Sequence, residues 1–112
     1  MPVNQFWGIH AETPPAEPAP GLLRRTLVWG DRMMFVEFTV PKGSGVPLHH
    51  HPHEQVGYVV SGRIEFTIGE QVRVLGAGDA YLMPSEVPHW TTALEDSVVV
   101  DVFAPVREDY VP

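Results

Sequence analysis

The chain concentrates histidine in one short stretch. Four of its six histidines fall between His49 and His53, and a fifth, His89, lies further along. Imidazole is the commonest neutral ligand for transition metals. Residues i and i+2 of an extended chain share one face, so His49 and His51 can bind one ion from a single strand while His50 points away. His89 would complete the site from a neighbouring strand, which predicts a metal centre.

The fourth ligand of that centre is predicted to be Gln55, whose amide oxygen can coordinate. It has the same parity as the two histidines before it, although Pro52 can interrupt the alternation. The neighbouring His53 and Glu54 remain alternative ligands. A histidine-rich loop that is merely solvated is the competing interpretation of the whole cluster.

A second group of polar residues follows near the end of the chain. The segment Ser97–Ala104 is apolar except at Asp101 and its first residue, and Asp101 shares one face with Phe103. A carboxylate within such a run is rare unless it is paired or functional. One interpretation is a structural ion pair between Asp101 and Arg107. The other is a carboxylate base, an aromatic wall and a guanidinium clamp beside the metal, which suits proton transfer on a small acidic substrate.

Short strands must position these groups. No window shows a helical period, and β-prone segments alternate with glycine- and proline-containing turns, which predicts an all-β sandwich or barrel. Gly69-Glu70 suits a tight hairpin, and the proline-rich residues 13–20 read as an extended arm over the surface. The predicted strands are Thr26–Trp29, Met33–Val40, Val56–Val60, Arg63–Ile68, Gln71–Leu75, Ala80–Met83, His89–Thr92 and Ser97–Ala104.

Length and composition limit the function classes. A chain of 112 residues is the size of one domain, here 1–112, and the absence of cysteine excludes thiolate chemistry and disulfides. With 14 acidic against 7 basic residues, no basic patch indicates nucleic-acid binding. No apolar run is long enough to span a membrane, and residues 1–10 lack signal-peptide character, so we expect a cytoplasmic protein.

Two segments resemble the sequence motifs of the cupin superfamily. The first reads His49-x-His51, three residues, Gln55, six residues and Gly62; the second reads Gly78, five residues, Pro84-Ser85-Glu86, two residues and His89. The resemblance covers roughly Met33 to Ala104. It implies a double-stranded β-helix, or jelly-roll barrel, with one divalent metal ion on His49, His51, Gln55 and His89.

The chain departs from the family pattern at four positions. Gln55 replaces the acidic ligand, Glu86 replaces a glycine, Ala93 replaces an asparagine, and Gly45 is displaced by two residues. The departures at Glu86 and Ala93 affect turn geometry alone. The Gln55 change leaves the full positive charge on the ion, which would strengthen it as a Lewis acid and attract an anionic substrate.

One cupin group is particularly similar, namely the small pectin-degradation cupins that linearise unsaturated monouronates. The similar segments are His49 to Gln55, Val87 to His89 and Asp101 to Asp109. The resemblance implies an isomerase with its catalytic pocket on Asp101, Phe103 and Arg107, and a homodimer. It leaves the metal open among Ni, Fe, Zn, Mn, Cu and Co. The small-molecule substrate would be an anionic sugar acid.

Two other functions remain open from the sequence. Three histidines and one further ligand also resemble cupin dioxygenases that use Fe, Mn or Cu. A metal-occupied barrel that binds a sugar acid or small effector without catalysis is the third hypothesis. The residues themselves contain no feature specific for oxygen chemistry.

Overall fold

The computed structural model describes residues 6–112; residues 1–5, the start of the segment predicted to lack a signal peptide, lie outside the described residues. Within this part of the chain, strands dominate, and the only helical elements are two short 3-10 turns at His10–Glu12 and Glu108–Tyr110. The predicted all-β jelly-roll is confirmed. The strands are β1 (Ala16–Ala19), β2 (Leu22–Trp29), β3 (Met34–Val40), β4 (Glu54–Ser61), β5 (Arg63–Ile68), β6 (Gln71–Gly76), β7 (Ala80–Met83), β8 (His89–Ala93) and β9 (Ser97–Ala104).

The strands form two antiparallel sheets. The larger sheet has the order β1-β2-β3-β9-β4-β7, and the smaller one has the order β6-β5-β8. The last long strand, β9, therefore inserts between β3 and β4 at the middle of the larger sheet. Because of this crossover, β9, which carries Asp101, pairs with β3 on one side and with β4 on the other.

The core lies between the two sheets and follows from the period-two patterns. Every second residue of β3 and β9 is buried, and Val36 on β3 is fully enclosed. The two sheets meet where Phe66 of β5 contacts Tyr81 of β7, with ring centroids 4.3 Å apart. The prediction that Asp101 and Phe103 share one face is confirmed, because both lie on the buried face of β9.

The turns show where local sequence determines the chain path. The predicted Gly69-Glu70 hairpin joins β5 and β6, with Ile68 paired to Gln71 and Gly69 at a φ of 59°. The proline-rich segment is mostly exposed, as expected for an arm, but its Ala16–Ala19 portion pairs with β2 as an edge strand. No helix among residues 6–112 has the length and apolar character needed to cross a membrane.

Candidate metal centre

The histidine cluster lies where the loop before β4 meets the start of β8. His49 forms an isolated bridge with His89, in which each N–H donates to the other's carbonyl at 3.1 and 3.0 Å. The carbonyl of His51 accepts the Glu86 N–H at 2.8 Å. The prediction that His49 and His51 lie on one strand is wrong, because β4 begins only at Glu54. Pro52, which has no N–H to donate to a ladder, lies between them and β4.

The backbone fixes the orientation of all three rings. The Nδ1 atoms of His49, His51 and His89 each lie 2.9 Å from a backbone carbonyl, those of Pro47, His53 and Val87 respectively. A carbonyl can only accept, so each Nδ1 carries the proton and each Nε2 carries a lone pair. The same arrangement is typical of metal-binding histidines.

The three Nε2 lone pairs converge. Nε2 of His49 lies 3.1 Å from Nε2 of His89, and ligand atoms of the three residues lie within 4.8 Å of one another. Nε2 of His51 is buried and has no hydrogen-bond partner among the described residues. Two lone pairs at such a distance repel unless a cation lies between them. The donors therefore fit one divalent transition metal ion.

Electrostatics keep His51 and His89 neutral, as metal binding requires. Burial lowers the pKa of His89 to about 4. Burial also lowers the pKa of His51, and the positive charge of Arg107 adds to the effect. Neutral rings at neutral pH offer their lone pairs without first losing a proton.

The neighbouring residues of the cluster are placed differently. His50 is exposed, as predicted, with its Nδ1 3.4 Å from the carboxylate of Glu86. The alternative ligands His53 and Glu54 do not join the three-histidine group. Glu54 is exposed at the start of β4, and the His53 ring lies 5.5 Å from that of His51.

The side chains of Gln55 and Asp101 form a hydrogen bond beside the histidines. Gln55 is buried on β4 and its side chain hydrogen-bonds to the Asp101 carboxylate. Tyr81 donates its hydroxyl to Oδ1 of Asp101 at 2.6 Å. Burial raises the pKa of Asp101 to about 6, against the opposing effect of the hydrogen bonds from Gln55 and Tyr81. At pH 7 this carboxylate is mainly ionised and is poised to exchange a proton.

Arg107 does not pair with Asp101. Its guanidinium makes a two-point contact with Asp109, at 3.0 and 3.4 Å, and its side chain is 12% exposed. The predicted structural ion pair between Asp101 and Arg107 is therefore not what the structure shows. The reason is local, since Asp109 is only two residues away and the hydrogen bonds of Asp101 come from elements inside the barrel.

Aromatic rings hold Arg107 at the cavity. Its guanidinium lies 5.3 Å from the centroid of Phe103 and 3.9 Å from that of Tyr110. The guanidinium of Arg24 lies over the same Tyr110 ring at 4.1 Å. Stacking keeps a guanidinium in place while its N–H groups still face an anion.

One cavity between the sheets collects most of these groups. Its walls are apolar, and its polar lining residues are His49, Gln55, Tyr81, His89, Thr91, Asp101, Arg107 and Tyr110. The structure thus brings the sequence-predicted residues Gln55, Asp101, Phe103 and Arg107 together with His49 and His89 around this cavity. The sequence analysis did not identify Tyr81 as the partner of Asp101. The available signal was that Tyr81 and Met83 share the inward face of a short strand and that a buried tyrosine hydroxyl needs a partner.

Comparison with known proteins agrees with this architecture. Residues 36–103 match the family model described as "Cupin domain". The chain is 38% identical over 104 residues to "Pectin degradation protein KdgF" of Dickeya dadantii, which covers 91% of the chain and 94% of that protein. It is 32% identical over 83 residues to "H2HPP isomerase" of Bacillus subtilis, which covers 73% of the chain and 35% of that protein.

A solved structure extends the similarity to three dimensions. The structure of KdgF from a Halomonas species superimposes with a TM-score of 0.90 at 33% identity, covering 96% of this chain and 100% of that one. The similarity thus includes almost the whole chain rather than the barrel alone.

Proposed function

The chain belongs to the cupin domain family, and from that premise we propose that it is a metal-dependent isomerase that linearises 4,5-unsaturated monouronates to 5-keto-4-deoxyuronates. The observation that carries the proposal is the buried, hydrogen-bonded carboxylate of Asp101 in one cavity with two of the clustered histidines and Arg107. The similarity to a pectin degradation protein over nearly the whole chain supports the substrate class.

The metal would be held by His49, His51 and His89, with the amide oxygen of Gln55 as the fourth ligand. Ni, Fe, Zn, Mn, Cu and Co all suit such a nitrogen and oxygen set. When bound, the ion supplies Lewis-acid polarisation of a substrate oxygen.

The protein side chains perform the proton transfer and hold the substrate. Asp101 accepts the proton of the C1 hydroxyl, the bond between C1 and the ring oxygen breaks, and the C1 aldehyde forms. The ring oxygen leaves as the C5 enolate oxygen. The proton that Asp101 took up is then returned to the substrate at C4, directly or through solvent, which gives the C5 ketone and restores the carboxylate, so the reaction is a net isomerisation that needs no oxidant. Arg107 binds the substrate carboxylate, and Phe103 packs on the sugar face.

The test follows the ultraviolet absorbance of the unsaturated uronate, which disappears when the C4–C5 double bond is lost. Metal-loaded wild type should accelerate the loss above the spontaneous rate. Asp101→Asn should lower kcat by about 10²–10⁴-fold at unchanged metal content. Asp31→Asn, the same change at an exposed position, is the matched control and should leave the rate unchanged.

Other outcomes would identify the competing functions. A wild-type rate equal to the spontaneous one contradicts the isomerase. If Asp101→Asn then binds a sugar acid as tightly as wild type, the barrel is a non-catalytic binding module. Oxygen uptake by the iron-loaded protein with diols or diketones would instead support a dioxygenase.

We also propose that residues 1–112 form one domain that works in the cytoplasm as a homodimer. The support for a dimer is the outer face of β4 and β7, where Val56, Tyr58 and Leu82 are each close to half exposed. Contiguous apolar surface of this kind commonly marks an interface. Sedimentation should show a dimer that Leu82→Glu converts to monomer; a monomeric wild type contradicts this part of the proposal.

A further inference from the structure

Three residues lie in a row across the larger sheet at the site. Gly57 of β4 is the register partner of Tyr81 on β7 and also of Asp101 on β9. The strands β7 and β9 are not neighbours, since β4 separates them. The Tyr81 hydroxyl nevertheless reaches Oδ1 of Asp101 at 2.6 Å, because the chain has no side chain at position 57.

Gly57 is required for this contact. A Cβ built on it would overlap the Tyr81 ring carbon that bears the hydroxyl, the hydroxyl itself and Oδ1 of Asp101. Any other residue would therefore separate the donor from the acceptor. The hydrogen bond between Tyr81 and Asp101 therefore crosses the backbone of β4 at the one position where no side chain blocks it.

Tyr81 is itself held firmly. It is 8% exposed, and the Phe66 ring of the opposite sheet lies 4.3 Å from its ring centroid at an angle of 34°. A hydrogen bond from a hydroxyl to a buried carboxylate is short and strong. The phenol also stays protonated, because burial and the nearby Asp101 raise its pKa well above the usual value. It can therefore donate to Asp101 at neutral pH.

We propose that Tyr81 is a positioning residue, which fixes the Asp101 carboxylate in the orientation needed for proton transfer. Gly57 permits this role, because it leaves the space in which the Tyr81 hydroxyl reaches Asp101. This inference rests on the proposed isomerase function. Tyr81 acts through Asp101 alone and needs no contact with the metal.

The experiment compares Tyr81→Phe with Thr92→Val, which also removes one hydroxyl group, but at an exposed position of β8 outside the cavity. Tyr81→Phe keeps the ring and its packing on Phe66. We expect kcat to fall about 10–100-fold, as the loss of one hydrogen bond to a charged group implies. KM and the metal content should change less than about two-fold. An unchanged kcat, or a loss of activity that follows a loss of metal, would overturn the inference.

A double-mutant cycle separates positioning from packing. If Tyr81 acts only through Asp101, then Tyr81→Phe in the Asp101→Asn background changes the residual kcat by less than about two-fold. Full additivity of the two changes would contradict the proposal.

A structural measurement separates this inference from the proposed function. If the wild type has no isomerase activity, crystal structures of wild type and Tyr81→Phe still test the positioning. A rotated or disordered Asp101 carboxylate in the variant supports it, and a carboxylate in the same place overturns it.

Discussion

Gly57→Ala is the smallest change that should disturb the site without touching a proposed ligand. The added methyl group would overlap the Tyr81 hydroxyl and Oδ1 of Asp101, so one of the two side chains must move. Both are buried, and neither can move into solvent. The substitution therefore overpacks the core and breaks a hydrogen bond to a carboxylate together.

The size of the effect can be estimated from these two terms. Overpacking of a core costs about 1–3 kcal/mol. A lost hydrogen bond to a charged group costs about 1.5–3 kcal/mol. We expect the free energy of unfolding to fall by about 2.5–6 kcal/mol, a large part of the about 5–15 kcal/mol that is typical of a small domain.

Urea unfolding of the two proteins, with and without metal, measures the difference. Gly76→Ala is the matched control, because a Cβ there would meet nothing closer than the Gly62 carbonyl oxygen at 3.9 Å. The control should stay within about 0.5 kcal/mol of wild type. A Gly57→Ala loss below about 0.5 kcal/mol would refute the steric argument, as would an equal loss in both variants.

Three further predictions concern the turn, the ion and the clamp. Glu86→Gly should raise the free energy of unfolding by about 0.5–1 kcal/mol in urea titrations, because Glu86 has a φ of 65°; a decrease would contradict this. Metal at 100 times its dissociation constant should stabilise the wild type by about 2.7 kcal/mol in calorimetry, and the same ion should give no such gain in His51→Ala. Arg107→Lys should raise KM for the unsaturated uronate about ten-fold in steady-state assays, because an ammonium cannot reproduce two-point binding of a carboxylate; an unchanged KM would exclude Arg107 as the clamp.

Local patterns predicted the fold because a barrel of short strands repeats a simple signal. Arg63–Ile68 was predicted with the same bounds as β5, and the alternation in β9 correctly placed Asp101 and Phe103 on one face. The pattern failed where backbone geometry is irregular. His49 and His51 precede β4 in a loop that a single bridge to His89 holds in place, and such a bridge leaves no periodicity in the sequence.

Partners within the site were harder to predict than its members. Asp101 and Arg107 are only six residues apart in the sequence, which made them plausible partners. In the structure, however, the Asp101 carboxylate contacts Gln55 of β4 and Tyr81 of β7, and the Arg107 guanidinium contacts Asp109. Choosing between these partners requires the register of three strands, which composition and spacing do not contain. The role of Gly57 was invisible for the same reason, since its importance depends on what lies on either side of it.

The strand register also explains why an amide suits position 55. In the sequence, Gln55 looks like a loss of ligand charge relative to the family pattern. In the structure its side chain hydrogen-bonds to Asp101, and an ionised carboxylate can only accept. The amide nitrogen of Gln55 must therefore be the donor, which leaves the amide oxygen available for the proposed metal. A glutamate there would place two buried carboxylates together, and such a pair holds a shared proton rather than two negative charges. Glutamine at position 55 therefore suits the buried Asp101 carboxylate beside it. The single negative charge of the pair remains on Asp101, the residue proposed to move the proton.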